Sequence, residues 1–191
     1  FYEGKAGINM SFVNRLLFSI RKGSYRLLIS NNIDRNSKIL FNRNIMQRVT
    51  EIAPFMYYDP DAYIVVNQDD GKLYWIIEGF TVSDKYPYSQ PTDRFINGMS
   101  VNYIRNSVKV VIDAYDGSID FYVADENDPI IQTYNKIFTD LLKPIDEMPE
   151  GIRSHIRYSQ AYFDIQSEMY RLYHIENPTV FFGREDYWDL A

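Results

Sequence analysis

Cysteine is absent from all 191 residues. Its absence excludes disulfide staples, thiolate zinc sites and cysteine nucleophiles together, and leaves the redox compartment open. Histidine is almost as scarce. His155 and His174 are the only two, neither stands in an HExxH spacing, and Glu168 lies six residues before His174, off its helical face. Each reads as an ordinary core or surface histidine, and no metal centre is expected. The phosphate-cradling patterns GxxxxGK(S/T) and GxGxxG and the nucleophile pattern GxSxG are also missing, so the standard nucleotide-binding and hydrolase signatures give no support for a cofactor or a named reaction. Long apolar runs are missing too. The longest charge-free stretch, "FINGMSVNYI", is about 10 residues where a membrane-spanning helix needs about 20. No signal-like apolar core follows Phe1, and a chain opening without Met is expected to be a piece of a longer protein.

What is present is an ordinary globular composition, 46% hydrophobic and 24% charged, which predicts one well-buried domain over residues 1–191. The net charge of −6 hides a division. Residues 1–50 hold nine Lys/Arg against Glu3 and Asp34, a balance of +7, while the remainder carries −13. Such asymmetry suits either attraction between two parts of one fold or contact of the basic part with a phosphate-bearing surface. The basic segment lacks the aromatic interleaving of single-strand binders, so no nucleic acid is expected. Seventeen tyrosines and two tryptophans suit strands and half-buried helix faces, and also flat faces for a sugar, a peptide or a protein.

Residues 1–55 read as a basic helical lead-in. In "NMSFVNRLLFSIRKGSYRLLIS" the apolar residues Phe12, Leu16 and Ile20, with Val13 and Leu17, share one helical face; Asn9 or Ser11 can cap it, and Gly23 interrupts it. "FNRNIMQRVTEIAPF" repeats the period through Ile45, Val49 and Ile52 up to Pro54. The period then changes. Over residues 62–124, two pairs of β-branched and aromatic runs flank Asp70-Gly71 and Asp116-Gly117. Asp-Gly between such runs predicts a hairpin, because Gly accepts the positive φ of a tight turn. Over 128–176 the pattern is helical again. Asp128-Pro129 is a cap followed by Pro at the first helical position, "IIQTYNKIFTDLL" carries the period to Pro144, and shorter and longer helices follow in "MPEGIRSHI" and "SQAYFDIQSEMYRLYHI". Residues 177–191 read as an irregular aromatic tail. The fold class is α+β: a four-stranded, mainly antiparallel sheet of two hairpins, covered by helices from both ends of the chain.

Asp113, Asp116 and Asp120 fall within "DAYDGSID". As a calcium loop the segment fails, since its third and fifth positions are Tyr and Gly. Asp113 and Asp120 can approach each other across the hairpin as an acid/base pair, yet Asp is also common in turns, and the turn is the preferred reading. Between the hairpins "SDKYPYSQPTDRFINGMS" is long for a connection. It supplies the candidate binding residues Tyr86, Tyr88 and Arg94, with Tyr103 and Arg105 just beyond.

"RNIMQRVTEIAPF", "GKLYWIIEGFTVSDKYPYSQP", "NYIRNSVKVVIDAYDGSIDFYV" and "YWDL" together resemble uncharacterised protein family UPF0182, large multi-pass bacterial and related membrane proteins, along essentially the whole chain. The resemblance implies an internal segment of a soluble region on the extracytoplasmic side of the cell membrane, with the remainder of the parent protein as its first partner. It implies no reaction, cofactor or catalytic residue. The function expected on this basis is a non-catalytic module binding a protein, peptide or envelope component. The alternatives are an enzyme using carboxylates near the second hairpin, or a structural spacer of a membrane assembly. Basic helices close to a membrane would also suit anionic lipid headgroups.

Overall fold

The two Asp-Gly turns set the architecture. A computed structural model describes residues 4–34, 36–92, 98–186 and 188. In it β4 (Tyr63–Val66) pairs antiparallel with β5 (Leu73–Ser83), and β6 (Tyr103–Asp113) with β7 (Ile119–Val123). Gly71 and Gly117 take φ of 68° and 72° in the respective turns. β5 and β6, the two 11-residue strands, join the hairpins from Tyr74↔Asp113 to Ser83↔Tyr103. Their register shifts between Gly79 and Thr81. Gly79 has a packing reason: a Cβ there would stand 3.1 Å from the Cβ of Val108 on the neighbouring strand.

The α+β class stands, and the sheet is larger than the four predicted strands. β3 (Tyr57–Tyr58) lies beyond β4 along the same edge of β5, and β8 (Leu142–Pro144) adds parallel to β7. A separate ribbon joins β1 (Ile8–Asn9) to β2 (Lys38–Ile39). The helical period read through to Pro144 is cut short. α4 (Pro129–Ile137) stops with Phe138 at φ −116°, and the chain spends Leu142, Lys143 and Pro144 on β8. Pro144 is tolerated there because the edge of a sheet does not need its missing N–H.

Both faces of the sheet are covered. On one, Ile77, Val108, Val110, Ile112 and Phe121 meet Val49 and Ala53, in and just after α3 (Ile45–Ile52), and Ile131 of α4. On the other, Ile76, Val111 and Tyr122 meet Met148 and Ile152, the latter on α5 (Glu150–Arg153). Phe80 and Val101 meet Ile165 of α6 (Gln160–Tyr173). Within the stretch read as an irregular tail, α7 (Pro178–Gly183) starts at a capping Asn177.

α1 (Phe12–Lys22) and α2 (Arg26–Ile29) behave differently. Ser11 caps α1 by accepting the N–H of Asn14, and Gly23 closes it in the left-handed conformation at φ 60°. Arg15 staples the pair, its guanidinium donating to the carbonyls of Leu27, Leu28, Ser30 and Ile33. Yet the apolar face that the period predicted is not covered by the described residues: Phe12 is 72%, Leu17 57% and Ile20 71% exposed.

Candidate functional site

Two buried carboxylates fix the frame around the site. Asp128 caps α4 by accepting the N–H of Ile130 at 3.0 Å, and also accepts the hydroxyls of Tyr103 (2.8 Å), Ser107 (2.5 Å) and Thr81. Burial by itself raises its pKa, but the bonds from Ser107, Thr81, Tyr103 and the Ile130 N–H outweigh it and leave the carboxyl below its ordinary value. Tyr103 feels the converse: burial first, then its bond to Asp128, push the phenol up to about 12. Asp59 does similar work for α6, accepting the hydroxyl of Ser159 at 3.0 Å while that oxygen takes the N–H of Tyr162 at 3.2 Å.

Tyr103, held in this way, stacks on Tyr86 with ring centroids 5.6 Å apart, and the Arg105 guanidinium lies 6.0 Å from the Tyr103 ring centre. Arg105 is tied to Asp125 at 2.7 Å. Three of the five candidate binding residues are therefore contiguous. The long connection is pinned beside them by Asn102, whose amide donates to the carbonyls of Tyr86 (2.7 Å) and Ser89 (3.3 Å) and accepts from the Tyr86 N–H. Tyr88 sits apart, fully exposed at a φ of 63°. Arg94 lies outside the described residues.

Next to Arg105 the helical layer opens. A crevice of about 460 Å³ is bounded by Arg105, Asn106 and Lys109 of β6 and by Arg157, Tyr158 and Tyr162 at the start of α6. Beneath it Glu78 and Lys109, cross-strand partners on β5 and β6, form an ion pair only 2% and 6% exposed. Asn106 donates to the same Glu78 oxygen at 2.9 Å. Sequence reasoning missed these residues, although a signal was available. Glu78 interrupts "YWIIEGF" and Lys109 interrupts "SVKVVI", single charges inside apolar runs that enter the sheet centre. Arg157, Tyr158 and Tyr162 carried no such signal, because only the tertiary fold brings them to β6.

A larger cleft of about 910 Å³ lies between the β1–β2 ribbon, α3 and the β6–β7 turn, with Arg43, Arg48, Trp75, Asp113 and Asp116 among its walls. Its aspartates are turn residues. Asp113 accepts the N–H groups of Tyr115 (2.7 Å) and Asp116 (2.9 Å), and Asp116 accepts that of Ser118, the bond that chiefly lowers its pKa. Asp120 instead pairs with Lys143 of β8 at 2.6 Å. The two carboxylates of the expected acid/base alternative thus have separate partners. Gly117 is pinned twice over: besides its positive φ, a Cβ there would run into the Arg48 guanidinium. Among the described residues no group of three or more His, Asp or Glu is placed to hold a metal ion.

The model of UPF0182, described as an uncharacterised protein family, matches residues 1–191. The chain belongs to the UPF0182 family. A UPF0182 protein of Alkaliphilus metalliredigens is 56% identical over 190 residues, covering 100% of this chain and 20% of that protein. One of Pelotomaculum thermopropionicum is 49% identical over 190 residues, covering 99% of this chain and 20% of that protein. A third, of Methanospirillum hungatei, is 48% identical over 188 residues, with coverage of 98% and 21%. The chain therefore spans about one fifth of the length of these UPF0182 relatives. No solved structure matches it. No described helix is long and apolar enough to cross a membrane.

Proposed function

We propose that this UPF0182 segment is a non-catalytic, extracytoplasmic module of an integral membrane protein that binds a protein, peptide or envelope component. The observation that carries the reading is the uncovered apolar face of α1 and α2. Phe12, Val13, Leu17, Ile20, Tyr25 and Ile29 are all exposed there, on a chain spanning about one fifth of its relatives. A contiguous apolar face of this kind marks an interaction surface. Its occupant in this proposal is the remaining polypeptide of the same protein, which supplies the missing apolar cover. Arg21, Lys22 and Arg26 on the same helices favour a second contact, with anionic lipid headgroups at the edge of that interface. The non-catalytic part is supported by the structural employment of the carboxylates: Asp113 and Asp116 in a turn, Asp59 and Asp128 at helix caps.

The side of the membrane is tested with a cysteine introduced into this cysteine-free segment. Glu126→Cys lies on the exposed surface, and in intact cells producing the full-length protein it is expected to react with a membrane-impermeant maleimide. Reaction only after permeabilisation would place the segment inside and overturn the assignment. The lipid contact predicts that the chain sediments with anionic phospholipid vesicles at low salt and leaves them as salt rises. Equal indifference to anionic and neutral vesicles contradicts it.

A further inference from the structure

The crevice beside β6 interrupts an otherwise apolar sheet face. On that face Ile76, Phe80, Val111 and Tyr122 are all buried hydrophobics, whereas Glu78 and Lys109 place a charge pair in the middle. An apolar pair of similar volume would serve stability equally well, since each buried ion costs several kcal/mol in lost hydration, on the order of what its partner returns. Lys109 of this buried pair borders the opening in the covering layer.

The unused bonding capacity specifies the chemistry. Glu78 Oε1 and Asn106 Oδ1 are buried and accept no hydrogen bond from the described residues. The Asn106 orientation is fixed, because its amide nitrogen faces Glu78 Oε2 and the opposite assignment would set oxygen against oxygen. Lys109 commits one ammonium hydrogen to Glu78, and its side chain borders the crevice. Asn106 and Lys109 line the crevice, so its floor offers a side-chain amide and an ammonium with hydrogens to spare. Hydroxyl groups, which donate and accept at once, complement it.

At the mouth, Arg157 lies with its guanidinium 3.5 Å from the Tyr63 ring centre. Stacking uses the guanidinium's face, and of its several in-plane N–H groups those not turned to the Tyr63 hydroxyl remain for a carboxylate. Arg105 is already engaged by Asp125, so Arg157 is the cation available for an acid. Tyr158, exposed, and Tyr162 stand with centroids 5.9 Å apart and offer flat faces to the C–H side of a sugar ring. A volume of about 460 Å³ lies within the range of roughly 300–1,000 Å³ typical of small-ligand sites.

We infer that this crevice binds a short acidic saccharide. The carboxylate pairs with Arg157, the ring rests on Tyr158 and Tyr162, and the hydroxyls bond to Lys109 and Asn106, both of which line the crevice. This deepens the envelope-component reading above and rests on it.

Calorimetric titration of the purified chain with digalacturonic acid, cellobiose, trialanine and inorganic phosphate tests the inference. Digalacturonic acid is expected to bind and cellobiose to bind at least tenfold more weakly. Arg157→Gln and Tyr158→Ala, both at exposed positions, are each expected to weaken the acidic sugar by about tenfold or more, roughly the loss of one good contact, with circular dichroism and thermal midpoint unchanged. Equal binding of both sugars, preference for trialanine, phosphate binding as tightly as the sugar, or no heat from any saccharide at millimolar concentration each overturns it. Those failures leave the maleimide result untouched, so they are distinguishable from failure of the module reading itself.

Discussion

Asp128 concentrates several jobs in one side chain. Its carboxylate takes three hydroxyls and a helix N–H, joining β5, β6 and α4 at one buried point. Its folded pKa lies below the ordinary 3.8, so the fold favours the ionised form. That contribution is complete above the unfolded pKa and is lost as pH falls through the folded one. Asp128→Asn keeps an oxygen for the cap and removes the titration. Urea unfolding from neutral pH downward is therefore expected to show a variant less stable at pH 7 but with a flatter loss below about pH 4. A variant whose acid limb parallels that of the unaltered chain would contradict this assignment. Asp128 was legible in the sequence as a cap before Pro129. Its three hydroxyl donors were not, because Thr81, Tyr103 and Ser107 reach it only once β5 and β6 have paired. Glu78 and Lys109 show a mixed case: each was visible as a lone charge in an apolar run, but their pairing is set by the register in which β5 meets β6 across the long connection.

At the scale of elements, local chemistry and tertiary context divide the credit. The hairpins were legible because Asp-Gly demands a tight turn whatever surrounds it. The end of α4 was not. "FTDLL" continues the helical period, but Leu142 gains more by packing beside Phe121 of β7 than a further helical turn would give, a tertiary override of propensity. The start of α6 puts the capping chemistry to the test. Ser159→Ala removes both the acceptor for the Tyr162 N–H and the donor to buried Asp59. It is expected to lower stability by about 2 kcal/mol in chemical denaturation, and an unchanged midpoint would show the cap to be dispensable. The candidate binding residues divide in the same way. Tyr86, Tyr103 and Arg105 are near in sequence and meet on or beside one strand, while Arg157 and Tyr158 arrive from beyond β7, α4, β8 and α5.

The whole molecule is an asymmetric object. An open six-stranded sheet, with helices on both faces, carries at one end of the chain a helical pair whose apolar side no described residue covers. The charge division read from the sequence is partly consumed within the fold: Arg15 binds carbonyls of the α2 region, Lys38 binds the carbonyl of Gly4, and Arg48 lies over Gly117. The period of α1 was legible, whereas what the face packs against was not, because the proposed covering surface belongs to the rest of the polypeptide, outside these 191 residues. Maleimide reactivity of Leu17→Cys, measured in the isolated chain and in the membrane-embedded full-length protein, tests that claim most directly. A docked module predicts rapid labelling of the isolated chain, where Leu17 is 57% exposed, and strong protection in the full-length protein after the membrane has been dissolved in mild detergent. Equal labelling in both would mean that the α1 face stays open, and would contradict the docked-module reading.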